Sequence, residues 1–145
     1  MTSGVDPTSE LEGRLSAALD EAVAEGIVSA YLFGSHAEAR AHRESDVDVG
    51  VLLDRRALPG ARDRFEAGLR LSSRLQSALG TRSVDLVVLN DAPPGLGRHV
   101  TRGRRLVCVD AATDLAFVRD VQLRAADLEP FLRRTRRIKL QALAR

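Results

Sequence analysis

Three short apolar runs, at 27–33, 45–53 and 83–89, alternate with longer stretches whose apolar residues recur at helical spacing. That alternation restricts the chain to a sheet covered by helices. The first helical stretch, 9–25, carries Leu11, Leu15, Leu19 and Val23 four apart. Thr8 or Ser9 is placed to cap it, and Gly26 to end it. The second, 61–79, is predicted to turn Phe65, Leu69, Leu75 and Leu79 inward, with Gly80 as its stop. From Ala112 onward, Leu115, Val118, Val121, Ala125 and Leu128 predict a helical tail. Pro130 lacks an amide hydrogen, so this helix is expected to kink or restart there.

Smaller elements fill the gaps. A brief helical segment is predicted over 35–41, a loop over 54–60 and a turn over 90–95. A short helical piece is expected at 96–102 and a fourth strand at 104–109. The expected fold is α/β (α+β), a small mixed sheet flanked by helices. At 145 residues the chain suits one domain. Its expected parts are a loose tail (1–7), a body (8–110) and a helical extension (111–145).

Composition narrows the function classes. Aromatic residues make up 3% of the chain and Trp is absent, so the core must be built from Leu, Val and Ala. The same scarcity argues against a single-strand nucleic-acid platform, which stacks bases on exposed rings. No direct nucleic-acid binding is expected. Cys108 is the sole cysteine, which precludes an intramolecular disulfide and suits a reducing compartment; in its apolar run it is expected to be a buried thiol. No apolar run approaches the roughly 20 residues needed to cross a bilayer, and Met1 to Pro7 lack a signal pattern. The expected location is cytoplasmic.

The chemistry concentrates in two of the strands. Val47, Val49 and Val51 occupy one face of the second, which leaves Asp46 and Asp48 on the other. Residues two apart on a strand lie roughly 6.5–7 Å apart on the same side. Two such carboxylates repel unless a cation lies between them, and Mg²⁺ is held by one or two carboxylates plus substrate phosphates. Asp85 sits in the third apolar run, between Val84 and Leu86. A carboxylate there is costly unless paired, hydrated or metal-bound. If the two strands are neighbours, three carboxylates surround one site. The first strand ends at Gly34-Ser35, where free amides at a helix start are able to hold phosphate. Each piece alone has an ordinary reading, as a solvated strand edge or a capped turn; the combination carries the inference.

The combination resembles the minimal nucleotidyltransferases of the DNA polymerase β superfamily. Their pattern is Gly-Ser, a short helix, Ser-Asp-x-Asp, and a third Asp on a later strand. Here it reads Gly34-Ser35, then Ser45-Asp46-Val47-Asp48, then Asp85. The resemblance implies that Asp46, Asp48 and Asp85 are catalytic and bind two Mg²⁺ ions. It implies that Gly34, Ser35 and Ser45 bind the nucleotide phosphates. Relatives usually read Gly-Ser-x-Ala-Arg-Gly, whereas Glu38 and Ala39 stand in the last two places here. Both departures are expected to weaken nucleotide binding. His36 follows the phosphate-loop Ser and is either a phosphate donor or an exposed helical residue; His42 and His99 are read as structural or surface residues.

The resemblance also implies a partner. Single-domain relatives of this size resemble antitoxins paired with a HEPN-type ribonuclease toxin, onto whose tyrosine they transfer AMP from ATP. A hetero-oligomer is the expected assembly, with no membrane contact. The tail carries Arg133, Arg134, Arg136, Arg137, Lys139 and Arg145 without an acid between them; this strip is either a solvated face or a surface that docks an acidic partner or RNA. Two rival readings are a nucleotidyltransferase for a small hydroxylated molecule and a binding-only antitoxin.

Overall fold

A computed structural model describes residues 7–37, 46–80 and 83–143. The elements run α1 (Pro7–Glu21), β1 (Ile27–Phe33), β2 (Val47–Leu53), α2 (Ala61–Leu79), β3 (Val84–Val88), α3 (Pro94–Thr101), β4 (Arg104–Cys108) and α4 (Ala111–Leu143). Single 3-10 turns at Val23–Glu25 and Leu89–Asp91 follow α1 and β3. Gly26 closes the first of them at φ 100, a left-handed position that favours glycine.

The strands form one mixed sheet in the order β3-β2-β1-β4. β1 pairs antiparallel with β2 and with β4, whereas β2 pairs parallel with β3. The parallel pair needs a crossover, which α2 supplies. Two apolar layers result. On one face, Leu11, Leu15 and Leu19 of α1 and Ala67, Leu71 and Leu75 of α2 meet Val47, Val49 and Val51. On the other, Val100 of α3, half-buried Phe117 of α4 and Leu89 meet Tyr31, Phe33 and Leu52. A register shift between Ile27 and Ser29 lets Val28 join this second layer while Ile27 stays in the first.

The second face is locked by a buried polar hub. Asp114, in the first turn of α4, accepts hydrogen bonds at one oxygen from Ser29 Oγ and Tyr31 Oη, both at 2.6 Å. Its other oxygen accepts from Arg105 at 3.2 Å. Helix α3 is seated through glycines: a Cβ at Gly50 would overlap Val100 Cγ1, and one at Gly97 would lie 3.0 Å from Val121 Cγ1.

Several expectations need correction. Phe65 and Leu69 are 63% and 57% exposed. The inward stripe of α2 is instead Arg64, Ala67, Gly68, Leu71, Leu75 and Leu79. The small pair Ala67-Gly68 is what lets α2 approach β3, where a Cβ at Gly68 would meet Val88 Cγ2 at 3.0 Å. Arg64 is buried because it answers Asp91 at both carboxylate oxygens and the carbonyls of Leu58 and Pro59. In α4, Leu115 and Leu128 are exposed, and Asp114, Val121 and Ala125 form the buried stripe. The helix does not restart at Pro130 but continues to Leu143; a proline removes one backbone hydrogen bond, and the flanking turns carry the helix past it. Cys108 is half-buried rather than buried. Among the described residues, no helix is long and apolar enough to cross a membrane.

Candidate active site

The carboxylates lie on the sheet face that carries α3 and α4. Val47, Val49 and Val51 point into the α1/α2 layer, so alternation sends Asp48 to the opposite side. Asp48 and Asp85 are direct partners across the parallel β2–β3 pair. Directly opposed residues of neighbouring strands share a face, and such strands run about 4.8 Å apart. Asp46 stands two residues before Asp48, at the mouth of β2. Asp46 and Asp85 are exposed and Asp48 is half-buried. Asp85 thus escapes the burial cost that its sequence context suggested, because β3 is the edge strand.

Electrostatics tie the three together. The Asp48 carboxyl is held above its ordinary value, first by burial and then by the charges of Asp85 and Asp46. None of the ion pairs among the described residues involves these three acids. A hard divalent cation would relieve their mutual repulsion, and the all-oxygen donor set suits Mg²⁺. Among the described residues, no group of three or more His, Cys, Asp or Glu side chains is arranged to hold a metal ion by itself. Open carboxylates on one face fit an ion that completes its shell with water and substrate phosphate.

The turn after β1 closes the site. Phe33, the last residue of β1, is the register partner of Asp48. Gly34 follows at φ 73, and a Cβ built on it would fall onto Oδ2 of Asp48. Only glycine combines that backbone with that approach. Residues 34–37 form a turn in which Ser35 is half-buried and His36 is buried; His36 is therefore not an exposed helical residue. The remainder of the segment lies outside the described residues. That includes Ser45, the departures Glu38 and Ala39, His42, and most of the helical segment expected over 35–41.

Sequence reasoning missed one neighbour of the carboxylates. His99 of α3 sits edge-on to Phe33, with ring centroids 5.8 Å apart and planes at 85°. Its charge and that of His36 both pull the Asp48 carboxyl down, against the larger upward causes. Nothing local marks His99 in the sequence, because the docking of α3 on β1 and β2 brings it there.

A separate cavity of about 520 Å³ opens at the far end of β2, between residues 52–56 and the first half of α4. Arg55, Arg56, Asn90, Phe117 and Arg124 are among its lining residues, and none of the three site carboxylates is.

Comparison with known proteins gives this geometry a family. The family described as Polymerase beta, Nucleotidyltransferase matches residues 18–112. The protein adenylyltransferase MntA of Shewanella oneidensis is 35% identical over 98 residues, 64% of this chain and 63% of that protein's length. A toxin–antitoxin crystal structure with AMP-PNP superposes at a TM-score of 0.58 with 23% identity, over 90% of this chain and 98% of the other. A tri-AMPylated Shewanella oneidensis HEPN toxin in complex with MNT antitoxin gives 0.56 with 21% identity, over 95% and 99%. At such identities the two structures speak for the fold.

Proposed function

The chain belongs to the polymerase beta nucleotidyltransferase family, and from that premise we propose that it is a Mg²⁺-dependent adenylyltransferase. In this reading it moves AMP from ATP onto a tyrosine hydroxyl of a HEPN-type ribonuclease toxin and so acts as the antitoxin. One observation carries the nucleotidyl-transfer reading. Asp48 is pressed between an in-register Asp85 and the left-handed Gly34 turn, with Asp46 beside it. The adenylyl group and the toxin as acceptor are drawn from the adenylyltransferase relative and the toxin complexes; the tyrosine rests on the motif resemblance.

The residues divide the work as follows. Asp46, Asp48 and Asp85 would hold Mg²⁺. When bound, the ions neutralise charge on the attacking and leaving oxygens of an in-line displacement at phosphorus. Asp85, exposed on the edge strand, is open to an incoming hydroxyl and would take its proton. Gly34 leaves room for the Asp48 carboxylate against the turn, and the turn that contains Ser35 would offer the triphosphate donors. Ser45 is assigned the same role by its place in the motif. Little covalent chemistry falls to the protein, so positioning and charge neutralisation supply most of the rate.

The test incubates the protein with each α-labelled nucleoside triphosphate, Mg²⁺ and the purified helical protein encoded beside it. Label on that partner from ATP, lost with Asp46→Asn, is the expected result. Label on a small molecule instead would assign the acceptor to the rival enzyme class. A partner inhibited without any label would make the chain a binding-only antitoxin.

A further inference from the structure

The nucleotide reading leaves His99 unused, a side chain near Asp48 on the carboxylate face of the sheet. It reaches that face from α3, an element that contributes nothing to the Gly-Ser and Asp-x-Asp pattern. Its position is built rather than incidental. Gly50 has no side chain where Val100 Cγ1 fills the space, and Gly97 admits Val121 of α4. The residue between Arg98 and Val100 is thereby held by the sheet on one flank and by α4 on the other. Phe33 fixes the ring edge-on at 5.8 Å. Phe33 lies opposite Asp48 in the β1–β2 register and directly precedes Gly34. A side chain that touches Phe33 on this face therefore stands near Asp48, whose carboxyl feels the charge of His99. His99 itself is exposed, so part of the ring remains open to whatever occupies that corner.

We propose that His99 is a nucleotide-binding residue, donating a ring N–H to the polyphosphate that the Gly34 turn and the carboxylates hold. This rests on the nucleotidyltransferase reading above. A polyphosphate carries many acceptor oxygens, so it would take a further donor besides those of the turn. An imidazole N–H is a suitable donor there because it adds a directed bond without competing for the metal, as a further carboxylate would. The ring is preorganised by Phe33, so little rotamer freedom is lost on binding.

The experiment measures equilibrium binding of a non-hydrolysable ATP analogue with Mg²⁺, together with the thermal midpoint. His99→Phe keeps the edge contact with Phe33 and removes both ring nitrogens. His99→Gln keeps a donor near the position of Nε2. The expected result is an affinity about tenfold weaker for His99→Phe, with substantial recovery in His99→Gln and an unchanged midpoint in both. Wild-type affinity in a folded His99→Phe protein would overturn the proposal and reduce the residue to packing. So would equal weakening in both variants, which would trace the loss to the ring and not to its donor. Asp48→Asn runs alongside: undiminished Mg²⁺-dependent binding in that variant would count against the nucleotidyltransferase reading itself, separately from His99.

Discussion

Removing the buried carboxylate of Asp114 should destabilise this protein more than any other single polar truncation on the α3/α4 face. Asp114 is 3% exposed and accepts two hydroxyl hydrogen bonds of 2.6 Å at one oxygen, from Ser29 and Tyr31. Hydrogen bonds to a charged group are each worth about 1.5–3 kcal/mol. The two share an acceptor, so their contributions do not simply add. Asp114→Ala would also leave two buried hydroxyls without an acceptor, and it would remove the anchor between the start of α4 and β1. The loss of the carboxylate's own desolvation cost offsets part of this. The net expectation is about 2–4 kcal/mol, from the lost charged-group hydrogen bonds and the two hydroxyls left without an acceptor, less the recovered desolvation. Total stabilities lie near 5–15 kcal/mol, so this is a large share. Arg105 is the contrast. It pairs with the same carboxylate at 3.2 Å, but its side chain is 51% exposed, so Arg105→Ala should cost about 1 kcal/mol or less. Tyr31→Phe should fall between the two. Urea titrations of the three variants at matched m-values read the ranking directly. An Asp114→Ala protein no less stable than Arg105→Ala would refute the assignment of the hub to the two hydroxyl bonds.

Other predictions follow from the site and the hub. Asp48→Asn should cut transfer below about one hundredth yet raise the thermal midpoint of the metal-free protein at neutral pH. The folded-state carboxyl is held above 3.8 by burial, Asp85 and Asp46, so its stabilising share is complete below that value and lost as pH rises. A lower midpoint in chelator for Asp48→Asn than for the parent would contradict this. Gly34→Ala should cost about 1–3 kcal/mol and displace Asp48, because the new Cβ falls on its Oδ2 at a positive φ; denaturant titration with a parallel transfer assay checks both losses. Tyr31 is the only tyrosine. Burial, then Asp114, pushes its phenol well above the ordinary 10.0. Its share of stability is present below pH 10.0 and should drain away as pH climbs past it. Near-ultraviolet titration should find no phenolate until the chain unfolds, and Tyr31→Phe should flatten that part of the stability profile.

Much of the carboxylate face was legible because strand chemistry is local. Alternating valines at 47, 49 and 51 send Asp46 and Asp48 to the other side whatever surrounds them. The turn after Phe33 was legible for the same reason, since a glycine after a buried run marks a change of direction. Helix faces were read less well. Phe65 and Leu69 satisfy a helical period, yet a stripe offset by one residue is buried. Periodicity does not reveal that β3 needs a glycine beneath it, nor that Arg64 is neutralised by an aspartate 27 positions away. The same limit hid Asp114, whose partners lie 85 and 83 residues distant, and His99, whose neighbour Phe33 sits on another element.

The sequence alone determined the order of the strands and the long helices, the face on which the second strand carries its acids, and the glycine at which the chain turns after the first strand. These depend on neighbours within a few residues, where backbone geometry leaves few options. The tertiary structure decided that β3 lies parallel to β2 with Asp85 opposite Asp48, that α3 seats a histidine beside them, and that a helix start is pinned to β1 by a buried carboxylate. Those outcomes come from packing between distant segments, where the volumes of Gly50, Gly68 and Gly97 choose which surfaces are able to meet.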